Sequence, residues 1–176
     1  MSGARQVPKF AVATTAAIFA VLIADSVGAQ ERPGPAVEFN AGWVGFADDG
    51  VVNEGLLGGA ARFYVLPRVS VGPEIAFIDG THHSHLMLTG NVTWDLLAPT
   101  NGRPRPASPF LVAGGGLFQT REHFATGPFT SSEGAFTAGG GVRTSLGKRV
   151  TAGVDARVGW ELHLRISGLV GFQLGR

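Results

Sequence analysis

The chain has 176 residues, 27 of them Gly, with only two Lys and 15% charged residues; a typical soluble domain has roughly a quarter charged. That length allows one domain, or one domain behind a targeting segment. With no Cys, disulfides and thiolate metal sites are excluded, and a formal charge of +1 argues against a nucleic-acid binder.

At the N-terminus Arg5 and Lys9 precede an apolar run from Phe10 to Ala24, followed by Val27 and Ala29 where a signal peptidase reads small residues. This pattern predicts a secretory signal over residues 1–29, cleaved after Ala29, and a mature domain over 30–176. The run of 15 residues falls short of the roughly twenty that a transmembrane helix needs. No Cys follows the cleavage point, so a lipoprotein is excluded. Of 14 basic and 13 acidic residues, removal of Arg5, Lys9 and Asp25 leaves 12 of each, a mature charge of zero.

The mature chain then alternates with period two, the mark of strands. Val37, Phe39, Ala41 and Trp43 share one face, opposite Glu38, Asn40 and Gly42. Ala47 to Gly50 is a turn signal, with a loop predicted over 47–54. Leu57, Gly59, Ala61, Phe63 and Val65 oppose Arg62 and Tyr64; after a turn at 66–68, Val69 to Phe77 alternates against Ser70, Gly72, Glu74 and Ala76. Pro73 cannot donate to a ladder, so a bulge or ladder break is expected there. A loop over 79–84 leads to Leu86, Leu88, Gly90, Val92 and Trp94, opposite Met87, Thr89, Asn91, Thr93 and Asp95.

A Pro-rich connection (97–109) precedes a Gly-rich strand, Phe110 to Thr120, whose facing the pattern leaves open. Residues 120–134 read as a long polar loop. Phe136 to Thr144 then opposes Thr137, Gly139, Arg143 and Ser145, and Gly147-Lys148 turns into the two longest alternating runs. Val150, Ala152, Val154, Ala156, Val158 and Trp160 share a face opposite Asp155 and Arg157, and Leu164, Ile166, Val170, Phe172 and Leu174 oppose Arg165, Ser167 and Gln173. The expected fold is all-β, a closed eight-stranded antiparallel up-and-down transmembrane barrel. About nine to eleven residues is the length a tilted strand needs to cross a bilayer.

The phase of the charges decides which face meets lipid. No apolar face of the seven phased strands carries an ionisable residue, whereas the opposite faces carry Glu38, Arg62, Glu74, Asp95, Arg143, Asp155, Arg157 and Arg165. A soluble ligand-carrying barrel such as a lipocalin needs the reverse. An eight-stranded barrel has a lumen just wide enough to be filled by side chains, so these eight are expected to form a paired interior network. Trp43, Trp94 and Trp160 fall on the apolar face near strand ends, as interface aromatics do.

With these features, the Gly-rich segments Val71-Gly-Pro-Glu74, Leu111 to Gly116 and Gly139 to Arg143, and the C-terminal Val170-Gly-Phe-Gln-Leu174, the mature chain resembles small outer-membrane β-barrels of the OmpA/OmpX type, and more narrowly the "outer membrane protein beta-barrel domain" family. Such proteins typically end on an aromatic residue; here Phe172 is the expected substitute. The resemblance implies a cell outer-membrane location, lipid and the barrel assembly machinery as partners, and an N-terminus in the periplasm. Loops 47–54, 79–84, 120–134 and 161–163 would then face outward from the cell.

No catalytic, cofactor or metal residue is assigned. His82, His83, His85, His123 and His163 all lie at the expected outer rim, but no tight ligand spacing on a rigid element supports a Zn²⁺ or Cu²⁺ site. His82-His83-Ser84 has the His-x-Ser spacing of the outer-membrane lipid A deacylase, without a Glu at comparable distance. The expected role is therefore non-enzymatic, structural or surface-interacting, towards a surface ligand the sequence does not identify. A lipid-modifying enzyme and a narrow channel are the alternatives.

Overall fold

The computed structural model describes residues 32–48, 50–80, 83–97, 107–124 and 127–175. The predicted signal segment, His82 and most of the 97–109 connection lie outside them, as do the side chains of His123 and Glu161. Eight antiparallel strands follow in order: β1 (Ala36–Asp48), β2 (Gly50–Leu66), β3 (Val69–Asp79), β4 (His83–Asp95), β5 (Ser108–Phe124), β6 (Gly127–Ser145), β7 (Val150–Gly159) and β8 (His163–Gln173). A 3₁₀ turn, Trp160–Leu162, joins β7 to β8, with Leu162 in the left-handed region at φ 44°. Each strand pairs with its neighbour in sequence, and β8 closes on β1.

The register fixes the shape. A walk across the register from Ala36 to Arg62, to Gly72 (level with Arg62 by the flanking Ala60–Glu74 and Phe63–Val71 pairs), then through Asn91, Gly114, Thr137, Gly159 and His163 returns to β1 at Phe46, ten residues further along. For eight strands that stagger corresponds to a strand tilt of about 40°. The near end of the barrel is where β1 begins and β8 ends; the far end carries the β1–β2 and β5–β6 hairpins.

Two predicted loops are strands instead. Asp48 already pairs with Gly50, so 47–54 is a β1–β2 hairpin. Likewise Phe124 pairs with Gly127, and almost all of 120–134 is ladder. Both segments carry polar residues on both faces, which erases the alternation without removing the strand. At Pro73 the β4 ladder continues, opposite Gly90, while the β2 ladder skips from the Ala60–Glu74 pair to the Phe63–Val71 pair. The bulge itself lies elsewhere, between Tyr64 and Leu66.

The exterior is apolar right round the wall. Phe39, Leu57, Phe63, Ile75, Leu88, Leu117, Phe136, Val154, Ile166 and Phe172 are exposed. A soluble monomer's largest apolar patch is a few hundred Å², so a continuous apolar belt belongs in lipid. The unphased β5 places Leu111 and Leu117 outside and buries Phe110, Val112 and Phe118 in the lumen.

Candidate functional site

The near and middle parts of the lumen hold four arginines and four carboxylates, none more than 9% exposed, in two electrically neutral groups. In the group towards the near end, Arg62 Nη2 lies 2.8 Å from Glu38 Oε1, and Arg143 Nε donates to the same oxygen at 2.9 Å. Arg143 Nη1 donates to Asp95 Oδ1 at 3.3 Å, and its guanidinium sits 3.6 Å from the centre of the Phe110 ring. Tyr64 bridges the group: it accepts from Arg62 Nη1 at 3.0 Å and donates to Asp95 Oδ2 at 2.9 Å.

Glu74 is the hub of the second group. Its Oε2 accepts from Arg157 Nη1 at 2.7 Å and from Asn91 Nδ2 at 2.8 Å, while Oε1 pairs with Arg165 Nη1. Arg157 Nε donates to Asp155 Oδ2 at 2.6 Å. Ser167 donates to Asp155 Oδ1 and accepts from Arg165 Nε, the latter at 3.2 Å. Sequence reading placed Tyr64, Asn91 and Ser167 on the lumen face but gave them no role; they satisfy the lone pairs and donors that make a buried ion pair tolerable.

Glycine makes room for this core. A Cβ on Gly114 would come within 1.8 Å of Asn91 Oδ1 and 2.7 Å of the Gly90 carbonyl. On Gly141 it would meet the Val154 carbonyl at 2.1 Å and the Phe110 ring at 2.8 Å.

Towards the far end the lumen becomes apolar. Val44, Phe46, Leu56, Ile78, Met87 and Phe118 pack across it as one buried cluster. Beyond this plug lies an open cavity of about 760 Å³, whose lining includes Phe46, His83, His85, Thr120, Glu133 and Trp160.

Three side chains converge beside the cavity: His83 and His85, from the lumen face of β4, line it, and Glu54 from β2 lies fully buried against them. Their potential donor atoms all lie within 4.8 Å of one another. His83 Nε2 is in close contact with Glu54 Oε1, and His85 Nε2 is 3.7 Å from Oε2. Glu54 was expected in a loop, and β4 was expected to begin at Leu86. The available signal was the spacing of His83 and His85, two residues apart and therefore on one strand face. His163 lies nearby with its ring centre 5.5 Å from that of Phe46, and its Nδ1 is hydrogen-bonded to the Trp160 carbonyl. Ser84, between the two histidines, falls on the exterior face; its predicted partner His82 lies outside the described residues.

The three tryptophans sit on the exterior face with polar contacts at strand ends. Trp43 Nε1 donates to Asn53 Oδ1 at 3.0 Å, and Trp160 Nε1 to Glu133 Oε2 at 3.1 Å, both towards the far end. At the near end the Arg68 guanidinium lies 5.6 Å from the Trp94 ring centre. A ring in lipid with a wetted polar edge is what the membrane interface favours.

No family model and no curated protein matches the chain. Solved structures do. Neisserial surface protein A (NspA) superposes with a TM-score of 0.70 at 11% identity, over 80% of this chain and 97% of that one. The N-terminal β-barrel domain of Pseudomonas aeruginosa OprF gives 0.58 at 14% identity, over 79% and 97%. Ail, the attachment invasion locus protein of Yersinia pestis, gives 0.54 at 11% identity, over 80% and 98%. The fold is that of the small eight-stranded outer-membrane barrels.

Proposed function

We propose that this chain is a non-enzymatic outer-membrane β-barrel, exported through its N-terminal signal and inserted by the barrel assembly machinery, with a structural or surface-interaction role. The observation that carries this reading is the filled lumen. Two neutral charge layers and an apolar plug occupy the cross-section that a conducting barrel would keep wet. The apolar exterior supports lipid as the surrounding partner, and the long far-end hairpins supply a surface to present outside the cell. Two of the superposed proteins are named for the cell surface or for attachment; that describes those proteins, and at such identities the likeness reaches this chain only as fold.

Planar-bilayer recording is the direct test. The wild-type chain is expected to give no stepwise conductance, and discrete steps would replace this reading with a channel. Lipid A from cells with and without the chain should have the same acyl composition; a lost acyl chain would instead assign hydrolysis to the His82–Ser84 segment. Protease shaving of intact cells should cut within 120–134 and leave the near-end turns uncut.

A further inference from the structure

We propose that Glu54, His83 and His85 form a three-ligand site for a divalent first-row transition ion, Zn²⁺ being the best match, at the far mouth of the barrel. Two imidazoles and a carboxylate are the donor set of an open Zn²⁺ site, whose fourth position is left to water or an outside ligand. That position would face the cavity, because the His83 side chain is 30% exposed while those of His85 and Glu54 are 7% and 0%.

Four features of the molecule support the site. First, the donors are carried by strands, so their backbones are fixed: His83 and His85 project from one face of β4, and Glu54 of β2 reaches them over Gly80, just past the end of β3. A tetrahedral ion at about 2.1 Å from each donor needs donors about 3.4 Å apart; with the three within 4.8 Å of one another, small rotations of the His83 and Glu54 side chains would bring them to that spacing around a fixed His85.

Second, both Glu54 oxygens are buried and neither accepts a well-aligned hydrogen bond; what faces them is His83 Nε2 against Oε1 and His85 Nε2, 3.7 Å from Oε2. Every other acidic side chain of the lumen is met by an arginine. A carboxylate above an apolar floor of Ile78, Met87 and Phe118 is costly unless a cation compensates it. No arginine or lysine pairs with it among the described residues, and a 2+ ion meets that need.

Third, His85 Nδ1 is engaged by Thr120 Oγ1 of β5 at 3.0 Å. That leaves Nε2 turned towards Glu54, the outer-sphere arrangement that orients a ligating imidazole. Fourth, His85 is stacked on Phe118, with ring centres 4.9 Å apart, and contacts Phe46 at 5.3 Å, which limits ring rotation.

The test uses untagged chain refolded in detergent, with the folded state checked by its gel shift between unboiled and boiled samples. Titration with Zn²⁺ by calorimetry, and with Co²⁺ by its d–d absorption, should show one ion per chain with a tetrahedral-type Co²⁺ spectrum. Glu54→Gln, His83→Ala and His85→Ala should each weaken binding by roughly 100-fold or more, and Thr120→Val by about 10-fold. The wild type supplies a second readout in case a variant misfolds. Zn²⁺ should protect the partly exposed His83 from diethyl pyrocarbonate, mapped by mass spectrometry. No uptake by the wild type, uptake unchanged in the His83→Ala/His85→Ala double variant, or protection confined to other histidines would overturn the assignment.

Discussion

Replacing Arg157 by Met keeps most of the side-chain stem and removes only the guanidinium. Arg157 is 6% exposed and donates to two carboxylates, Glu74 at 2.7 Å and Asp155 at 2.6 Å. Its loss leaves Arg165 alone against both, a net buried charge of −1 in a layer with apolar packing on its far side. Breaking one member of a buried ionic group costs about 3–5 kcal/mol. With a urea dependence of about 2 kcal/mol per M, the unfolding midpoint should fall by roughly 1.5–2.5 M. Tryptophan fluorescence in lipid vesicles reads this directly, since Trp43 and Trp160 sit at one end of the wall and Trp94 at the other. Adding Asp155→Asn restores neutrality, with Glu74 still paired to Arg165, and should recover more than half of the loss. An unchanged midpoint for Arg157→Met would refute the reasoning. The lumen would then have to be hydrated enough to solvate a lone carboxylate, and conductance should appear.

Two further outcomes follow from the wall. Val154→Arg, at an exposed mid-strand position, should cost about 2–4 kcal/mol in vesicles, whereas Leu162→Arg in the rim turn should cost about 1 kcal/mol or less; equal costs would remove the lipid band from between them. Gly114→Ala should abolish the heat-dependent gel shift, because its Cβ meets Asn91 Oδ1 and a backbone carbonyl. The neighbouring Gly115→Ala, whose nearest contact is 3.5 Å, should refold normally. Equal refolding yields would show that the lumen wall is looser than these distances.

Seven of the eight strands could be phased from sequence because their lumen faces carry charge or polar groups against an apolar exterior. In β5 the lumen face is Phe110, Val112, Gly114, Gly116 and Phe118, as apolar as the lipid face, so alternation vanishes although the strand is regular. The hairpins at 47–54 and 120–134 failed for the opposite reason. Beyond the lipid belt both faces can be polar, and Asp-Gly or Ser-Ser reads as loop whether or not a ladder continues. Glu54 was illegible as a ligand because its partners come from another hairpin, 29 and 31 residues on.

The lumen charges also answer a question of alignment that greasiness leaves open. A strand displaced by two residues keeps every apolar side chain facing lipid, so burial alone cannot distinguish the observed seam from its neighbours. At the seam, Arg165 of β8 must meet Glu74 of β3, and Glu38 of β1 must meet Arg143 of β6. A two-residue slip of β8 against β1 would carry Arg165 along the axis by about 5 Å, beyond reach of Glu74. The four arginines thus act as a vernier on the closing strand. Since Glu38 and Arg143 are 105 residues apart, that reading is taken only when the sheet is nearly complete.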